Sequence, residues 1–95
     1  DSKIGKNCII NSNVSIDHDC IIKDHTHISP GVVIAGNVIV GENCWIGLGV
    51  KIIENCVIGD NVFVAAGAVV TKSIRSNSFV RGVPAKYAKQ KLAKL

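Results

Sequence analysis

Residues 28–52 read ISPGVVIAGNVIVGENCWIGLGVKI, and an aliphatic residue returns at every sixth position: Ile28, Ile34, Val40, Ile46 and Ile52. The same spacing continues without interruption from Ile4 to Val70. A helix repeats apolar residues every ~3.6 positions and a simple strand every second position, so a strict period of six predicts short strands joined by regular corners. The sequence is therefore expected to form a repeat architecture.

Two further columns of the repeat describe its interior and its corners. Four residues after each aliphatic position stands a small or β-branched residue, and this column holds all four cysteines: Cys8, Cys20, Cys44 and Cys56. Three residues after the aliphatic position stand residues that mostly tolerate positive φ: Asn7, Asn13, Asp19, His25, Gly31, Asn37, Asn43, Gly49, Asn55, Asn61, Gly67 and Ser73. If three hexads close one triangular coil, residues 4–75 form an all-β parallel β-helix of about four coils, each rising ~4.8 Å.

The C-terminal part of the chain departs from the six-residue pattern. Residues 75–78 are predicted to form a turn and residues 79–80 a last strand. Pro84 suits the first turn of a helix. One face of that helix would carry Ala85, Ala88, Leu92 and Leu95. We therefore expect a β-helix domain over residues 1–80, followed by a C-terminal turn and a short capping α-helix over residues 81–95.

Size, charge and hydropathy restrict the classes of function. A chain of 95 residues suffices for one domain, and its net charge of +4 is too modest to favour nucleic-acid binding. No apolar run approaches the ~20 residues of a membrane span, and no signal-peptide pattern is present. The chain starts at Asp1 with the repeat already running by Ile4. We expect it to be part of a longer protein that is soluble and cytoplasmic.

The cysteines are predicted to be structural, because an inward free cysteine packs as a compact hydrophobe. Cys8 stacks with Cys44, and Cys20 with Cys56, but each pair lies two coils apart. That separation of about 9–10 Å exceeds the ~7 Å Cα limit for a disulfide. The spacing also does not fit a zinc site. We expect reduced thiols, which suit the cytoplasm, and no metal site.

The repeat separates the three histidines. His25 occupies the corner column and is predicted to be structural, whereas His18 and His27 fit no structural column. His18 and His27 are nine residues apart, which is half a coil, so they lie on opposite sides of the prism. Two sides of the prism also carry outward apolar stripes that include Ile9, Trp45 and Phe63 on one side and Ile21, Ile39 and Val57 on the other. We therefore expect an oligomer, with His18 and His27 sharing a site only across a subunit interface.

Several segments resemble sugar acyltransferases of the hexapeptide-repeat type. These segments are Ile16-Asp17-His18-Asp19-Cys20, His27-Ile28-Ser29-Pro30-Gly31, Gly36-Asn37-Val38 and Arg81-Gly82-Val83-Pro84-Ala85-Lys86. They are similar to segments of bacterial sialic acid O-acetyltransferases and of the UDP-4-amino-sugar N-acetyltransferases of bacillosamine synthesis. The resemblance implies a left-handed coil, a homotrimer, acetyl-CoA bound between subunits, and a sugar or nucleotide sugar as acceptor. It also implies an upstream nucleotide-sugar-binding domain, which these residues do not include.

The resemblance implies a catalytic group. His18 matches the general base, and Asp19 or Asp17 would serve as the carboxylate that tunes it. Asn11 matches a polar residue of the active site. An imidazole suits this chemistry, because its ordinary pKa lies close to neutral pH and it can remove a proton from an amine or hydroxyl.

The resemblance also implies a set of residues that bind acetyl-CoA. His27 matches a residue that contacts acetyl-CoA, and Leu48 and Ala66 match positions that line the CoA channel. Gly36 is stacked one coil from His18, and its missing side chain leaves room for the reacting carbonyl to approach a backbone N–H. A basic C-terminal group either meets the CoA phosphates or is simply solvated: Lys72, Arg75, Arg81 and Lys86.

Two other classes of function stay open. The same helix occurs as a non-catalytic trimerisation scaffold, and nothing in the repeat itself demands an active site. A γ-class carbonic anhydrase uses this fold with three zinc-bound histidines, two of them five residues apart. The spacings here are seven and two residues, so we predict no stoichiometric zinc.

Overall fold

A computed structural model describes residues 1–89. Its strands are β1 (Lys3–Ile4), β2 (Ile9–Ile10), β3 (Ser15–Ile16), β4 (Ile21–Ile22), β5 (His27–Ile28), β6 (Val33–Ile34), β7 (Ile39–Val40), β8 (Trp45–Ile46), β9 (Lys51–Ile52), β10 (Val57–Ile58), β11 (Phe63–Val64), β12 (Val69–Val70), β13 (Phe79–Arg81) and β14 (Lys86–Ala88). Each of the first twelve strands ends on an aliphatic residue of the six-residue repeat. Within residues 1–89, no helix is long and apolar enough to cross a bilayer.

Strands eighteen residues apart stack in register and form the three sides of a triangular prism. The first side contains β1, β4, β7 and β10, and the third side contains β3, β6, β9 and β12. The second side contains β2, β5, β8 and β11 and is extended by β13 and β14. All neighbouring pairs are parallel except β13 with β14. The structure therefore confirms a parallel β-helix of about four coils.

The corners depend on residues with positive φ. Eleven of the twelve predicted corner residues have φ between +55° and +76°. His25 has φ +60°, and its Nδ1 lies 3.4 Å from Asn7 Nδ2. Higher in the same stack, Asn43 Nδ2 donates to Asn61 Oδ1 at 3.0 Å. The corner column and the structural placement of His25 are confirmed.

Small polar side chains in the inward column bond to the corner backbone. Thr26 Oγ1 donates to the carbonyl oxygen of Gly41 at 2.7 Å, and Cys44 Sγ donates to that of Gly59 at 3.1 Å. Burial raises the pKa of the Cys44 and Cys56 thiols, which suppresses their reactive thiolate forms. All four cysteines are free and serve the packing of the coil, as the sequence predicts.

The last coil is two residues shorter than the others. Ile58 bridges to Ile74, and Phe63 pairs with Phe79, so the offset is sixteen residues instead of eighteen. Ser73 consequently does not adopt the positive φ expected of a corner residue. Its hydroxyl accepts a backbone N–H from the coil below. The expectation that each residue stacks on the residue eighteen positions earlier is therefore wrong after residue 70.

The predicted helix after Pro84 is wrong as far as residue 89. Lys86–Ala88 instead form β14, which pairs antiparallel with β13. Without β14, the outer edge of β13 would carry unpaired N–H and C=O groups, and pairing them outweighs a weak local helix preference. Leu92 and Leu95 of the predicted helical face lie outside the described residues.

The C-terminal segment is fastened to the end of the prism. The backbone N–H of Arg75 donates to Tyr87 Oη at 3.0 Å, and the Arg75 guanidinium lies 4.0 Å from the Tyr87 ring centroid. Val69 forms two backbone hydrogen bonds with the same segment. Its N–H donates to the Gly82 carbonyl at 3.0 Å, and its carbonyl accepts from the Ala85 N–H at 2.8 Å. The segment covers the end of the third side in place of a further strand.

Candidate active site

His18 and Asp19 occupy the corner that follows β3, between the third and first sides. Asp19 has φ +58°, and its Oδ2 lies 3.2 Å from His18 Nδ1. Asp17 Oδ1 accepts the backbone N–H of His18 at 2.8 Å. Of the two candidate carboxylates, Asp19 therefore contacts the imidazole and Asp17 orients the backbone.

The charge on Asp19 decides which ring nitrogen of His18 is available. The hydrogen bond with His18 lowers the pKa of Asp19. An ionised carboxylate only accepts hydrogen bonds, so the ring proton of a neutral His18 sits on Nδ1 and Nε2 keeps its lone pair. Both side chains are exposed, at 62% for His18 and 59% for Asp19. The corner thus presents an accessible base.

Gly36 lies one coil from His18 in the same column. The N–H of Asn37 donates to the His18 carbonyl at 3.0 Å, which joins the two coils. A Cβ on Gly36 would stand 2.5 Å from His18 Nε2 and 2.7 Å from Cε1, so the imidazole fills the space of the missing side chain. Gly36 is buried, and its N–H has no hydrogen-bond partner within residues 1–89. Such an N–H is a donor that a ligand carbonyl can satisfy.

His27 lies on the second side within a column of stacked rings. The centroid of its ring lies 3.9 Å from the centroid of the Trp45 ring, and the two ring planes differ by 7°. Trp45 stacks on Phe63 with 6.3 Å between the ring centroids. Phe63 and Phe79 are tilted to each other, with 5.5 Å between their centroids. We name these four residues the aromatic ladder. Sequence reasoning missed Phe79, because it assumed an offset of eighteen residues.

Asn11 contacts His27 in the same chain. Its Nδ2 lies 3.2 Å from His27 Nε2 and 3.2 Å from the carbonyl oxygen of Ile28. Because an amide nitrogen donates, His27 Nε2 accepts, and the ring proton sits on Nδ1. Asn11 therefore fixes the tautomer and the orientation of His27. The resemblance groups Asn11 with His18, but those two residues lie at different edges of one chain.

Leu48 and Ala66 lie one coil apart at the corner after the second side. The N–H of Gly67 donates to the Leu48 carbonyl at 2.7 Å and joins these coils. Both residues are exposed, Leu48 at 58%. Their strands, β8 and β11, carry Trp45 and Phe63, so this corner adjoins the aromatic ladder.

The candidate residues form two groups at different edges of the prism. The first group, the base corner, consists of His18, Asp19, Asp17 and Gly36. The second group, the ladder edge, consists of Asn11, His27, Leu48 and Ala66. Residues 1–89 of one chain enclose no pocket, and no three His, Cys, Asp or Glu side chains of that range converge as a metal-ligand set. One chain does not bring the two groups together.

The repeats define the class of protein. Residues 1–36 and 37–72 each match the profile of the bacterial transferase hexapeptide (six repeats) family, and the chain belongs to this family. A comparison with curated protein sequences finds no match.

Solved structures extend the comparison. A histidine variant of perosamine N-acetyltransferase from Caulobacter crescentus, in complex with CoA and GDP-perosamine, is 37% identical with a TM-score of 0.93, over 95% of this chain and 43% of that one. The acetyltransferase domain of PglB from Neisseria gonorrhoeae, in complex with acetyl coenzyme A, is 32% identical with a TM-score of 0.86, over 92% of this chain and 45% of that one. A hexapeptide-repeat acetyltransferase from Vibrio cholerae is 26% identical with a TM-score of 0.87, over 93% of this chain and 61% of that one. The chain thus spans less than two thirds of each.

Proposed function

We propose that the protein transfers the acetyl group of acetyl-CoA to an amino or hydroxyl group of a nucleotide-activated sugar, with His18 as the general base. The observation that carries this proposal is the pairing of His18 Nδ1 with Asp19 Oδ2 at 3.2 Å, which leaves Nε2 to accept a proton. Similarity to structures that contain CoA with GDP-perosamine, or acetyl coenzyme A, supports the donor and the class of acceptor.

The proposed reaction is a direct attack on the thioester. The acceptor nitrogen or oxygen bonds to the acetyl carbonyl carbon while its proton passes to His18 Nε2. The carbonyl oxygen becomes an oxyanion, for which the unpartnered N–H of Gly36 is the proposed donor. The carbon–sulfur bond then breaks, and the proton passes from His18 to the departing thiolate to give CoA. Asp19 stabilises the imidazolium between the two proton transfers.

We place this site between subunits of a homotrimer. Within one chain the base corner and the ladder edge are separate, so a neighbouring copy would supply the second group. Exposed apolar residues on the first two sides support such contacts: Ile9 at 54%, Trp45 at 45%, Ile21 at 37% and Val57 at 46%. The four free cysteines agree with a cytoplasmic location for the reaction.

The ladder edge is the proposed half of the site that holds the donor. Asn11 fixes the His27 ring with its Nδ1–H free to donate to a carbonyl of acetyl-CoA. Leu48 and Ala66 present an exposed apolar surface beside it, and their backbone N–H groups have no partner within residues 1–89. Such alternation of apolar contact and N–H donors suits the pantetheine arm, which carries two amides on an aliphatic chain.

Calorimetric titration with acetyl-CoA tests the donor site. We expect measurable binding by the unmodified chain and a loss of at least about tenfold in His27→Ala, which corresponds to ~1.4 kcal/mol. His25→Asn is the matched control, because asparagine occupies equivalent corners such as Asn43, and its affinity is expected to stay unchanged.

The same titration distinguishes a protein that binds acetyl-CoA from the alternative, a non-catalytic trimerisation scaffold. Mass in solution is measured on the same samples. A well-formed trimer that does not bind acetyl-CoA favours the scaffold. Equal affinities of His27→Ala and the unmodified chain, or a stable monomer, would contradict the site between subunits.

A further inference from the structure

We propose that Gly36 is a positioning residue for the base. Because Gly36 has no side chain, the His18 imidazole packs directly against it, and we call this contact the seat of His18. This inference rests on the proposed function of His18. It assigns Gly36 a role in addition to its N–H, since the seat is formed by the absence of a Cβ.

The contacts of Gly36 differ from those of the corner glycines. Gly49 and Gly67 have φ of +67° and +76°, and a Cβ on either would meet nothing within 4 Å, so backbone conformation explains these two glycines. Gly36 does not have a positive φ, so its backbone would accept alanine. The three atoms nearest to a Cβ at Gly36 all belong to the His18 ring, at 2.5, 2.7 and 3.1 Å. The imidazole is therefore the nearest group that excludes a side chain here.

The seat matters because His18 is otherwise weakly held. An imidazole that is 62% exposed normally exchanges rotamers within picoseconds to nanoseconds. Asp19 restrains it through Nδ1, and the surface of Gly36 restrains the part of the ring around Nε2. Two restraints at different atoms of the ring hold Nε2 at one place, which a proton transfer requires.

Gly36→Ala is the perturbation that removes the seat alone. The new Cβ displaces the ring toward solvent, and because the ring is exposed, the coil itself has no need to move. Alanine keeps the backbone N–H. We expect kcat for acetyl transfer to fall by about a hundredfold, as is typical of a misplacement near 1 Å, with KM for acetyl-CoA changed by less than about threefold. The melting temperature is expected to shift by no more than a few degrees.

A double-mutant cycle with His18→Ala supplies the matched control. If Gly36 acts through the ring, Gly36→Ala has no further effect on the residual rate once the imidazole is gone. If Gly36→Ala lowers the residual rate of His18→Ala by the same factor as it lowers the unmodified rate, Gly36 acts directly on the substrate and the proposal is overturned. A loss of the fold in Gly36→Ala that His18→Ala does not rescue also overturns it.

Nuclear Overhauser contacts test the seat without any reaction. In the unmodified protein we expect contacts from the His18 ring hydrogens Hε1 and Hδ2 to the Gly36 Hα atoms, and their loss in Gly36→Ala. Absence of these contacts in the unmodified protein overturns the proposed role of Gly36, independently of any measured enzyme activity. Conversely, contacts present in a protein whose acetyl transfer is unaffected by His18→Ala would leave the seat intact and refute the proposed function.

Discussion

Trp45→Lys is expected to dissociate the proposed trimer. Trp45 is 45% exposed at the centre of the second side, so about 110 Å² of a ~250 Å² side chain is open to contact with a neighbouring copy. At ~25 cal/mol per Å², covering that area is worth about 2–3 kcal/mol per interface, or roughly a hundredfold in association. A lysine in the same place adds the cost of desolvating its charge, and a trimer incurs the loss at each interface.

Sedimentation velocity across a range of protein concentrations measures this effect. Val33→Lys is the matched control, because Val33 is 40% exposed in the equivalent strand position of the third side, which carries no continuous apolar stripe. We expect the unmodified protein and Val33→Lys to sediment as trimers and Trp45→Lys as a folded monomer. Equal trimer stability in the two lysine variants would refute the assignment of the second side to the interface.

Two further predictions concern titratable groups. Because its hydrogen bond with His18 lowers the pKa of Asp19, Asp19 is ionised throughout assays from about pH 5 to 9, and its charge does not change across that range. Asp19→Asn removes the charge that stabilises the imidazolium between the two proton transfers, so we expect the maximum of kcat/KM across that pH range to fall; an unchanged maximum would contradict the pairing. Burial raises the pKa of Cys44, so iodoacetamide at about pH 8 is expected to modify half-buried Cys8 well before Cys44, as measured by peptide mass spectrometry. Faster modification of Cys44 would contradict its inward placement.

The regular part of the fold was predictable from the sequence, because each hexad repeats the same local physics. Aliphatic residues specify the strands, and residues such as Asn43 and Gly49 specify the corners through positive φ. The shortened last coil was not predictable. Ile74 satisfies the inward column of the eighteen-residue register as well as the strand position it takes, so the hydrophobic pattern does not distinguish the two offsets.

The C-terminal segment shows a second limit of sequence reasoning. Ala85 and Ala88 fit a helical face, yet β14 forms because the edge of β13 offers backbone partners. Local periodicity does not register an edge that exists only after the coils have assembled.

The placement of the site residues was predictable at the level of columns. The separation of His18 from His27 follows directly from the period of six. The structure confirms it, because His18 lies at the corner after β3 and His27 lies in β5 on the second side. Side-chain contacts were not predictable in the same way. The bond between Asn11 and His27 and the seating of His18 on Gly36 depend on rotamers and on the exact approach of neighbouring coils.

The most direct test of the central claim is the rate of acetyl transfer from acetyl-CoA to GDP-perosamine and related nucleotide-activated amino sugars, in the unmodified protein and in His18→Ala. We predict that the unmodified protein transfers acetyl groups to at least one acceptor. The substitution is expected to lower kcat by about 10²–10⁴-fold while acetyl-CoA affinity, measured by calorimetry, stays nearly intact. A rate in His18→Ala within a few-fold of the unmodified protein would contradict the assignment of His18 as the general base.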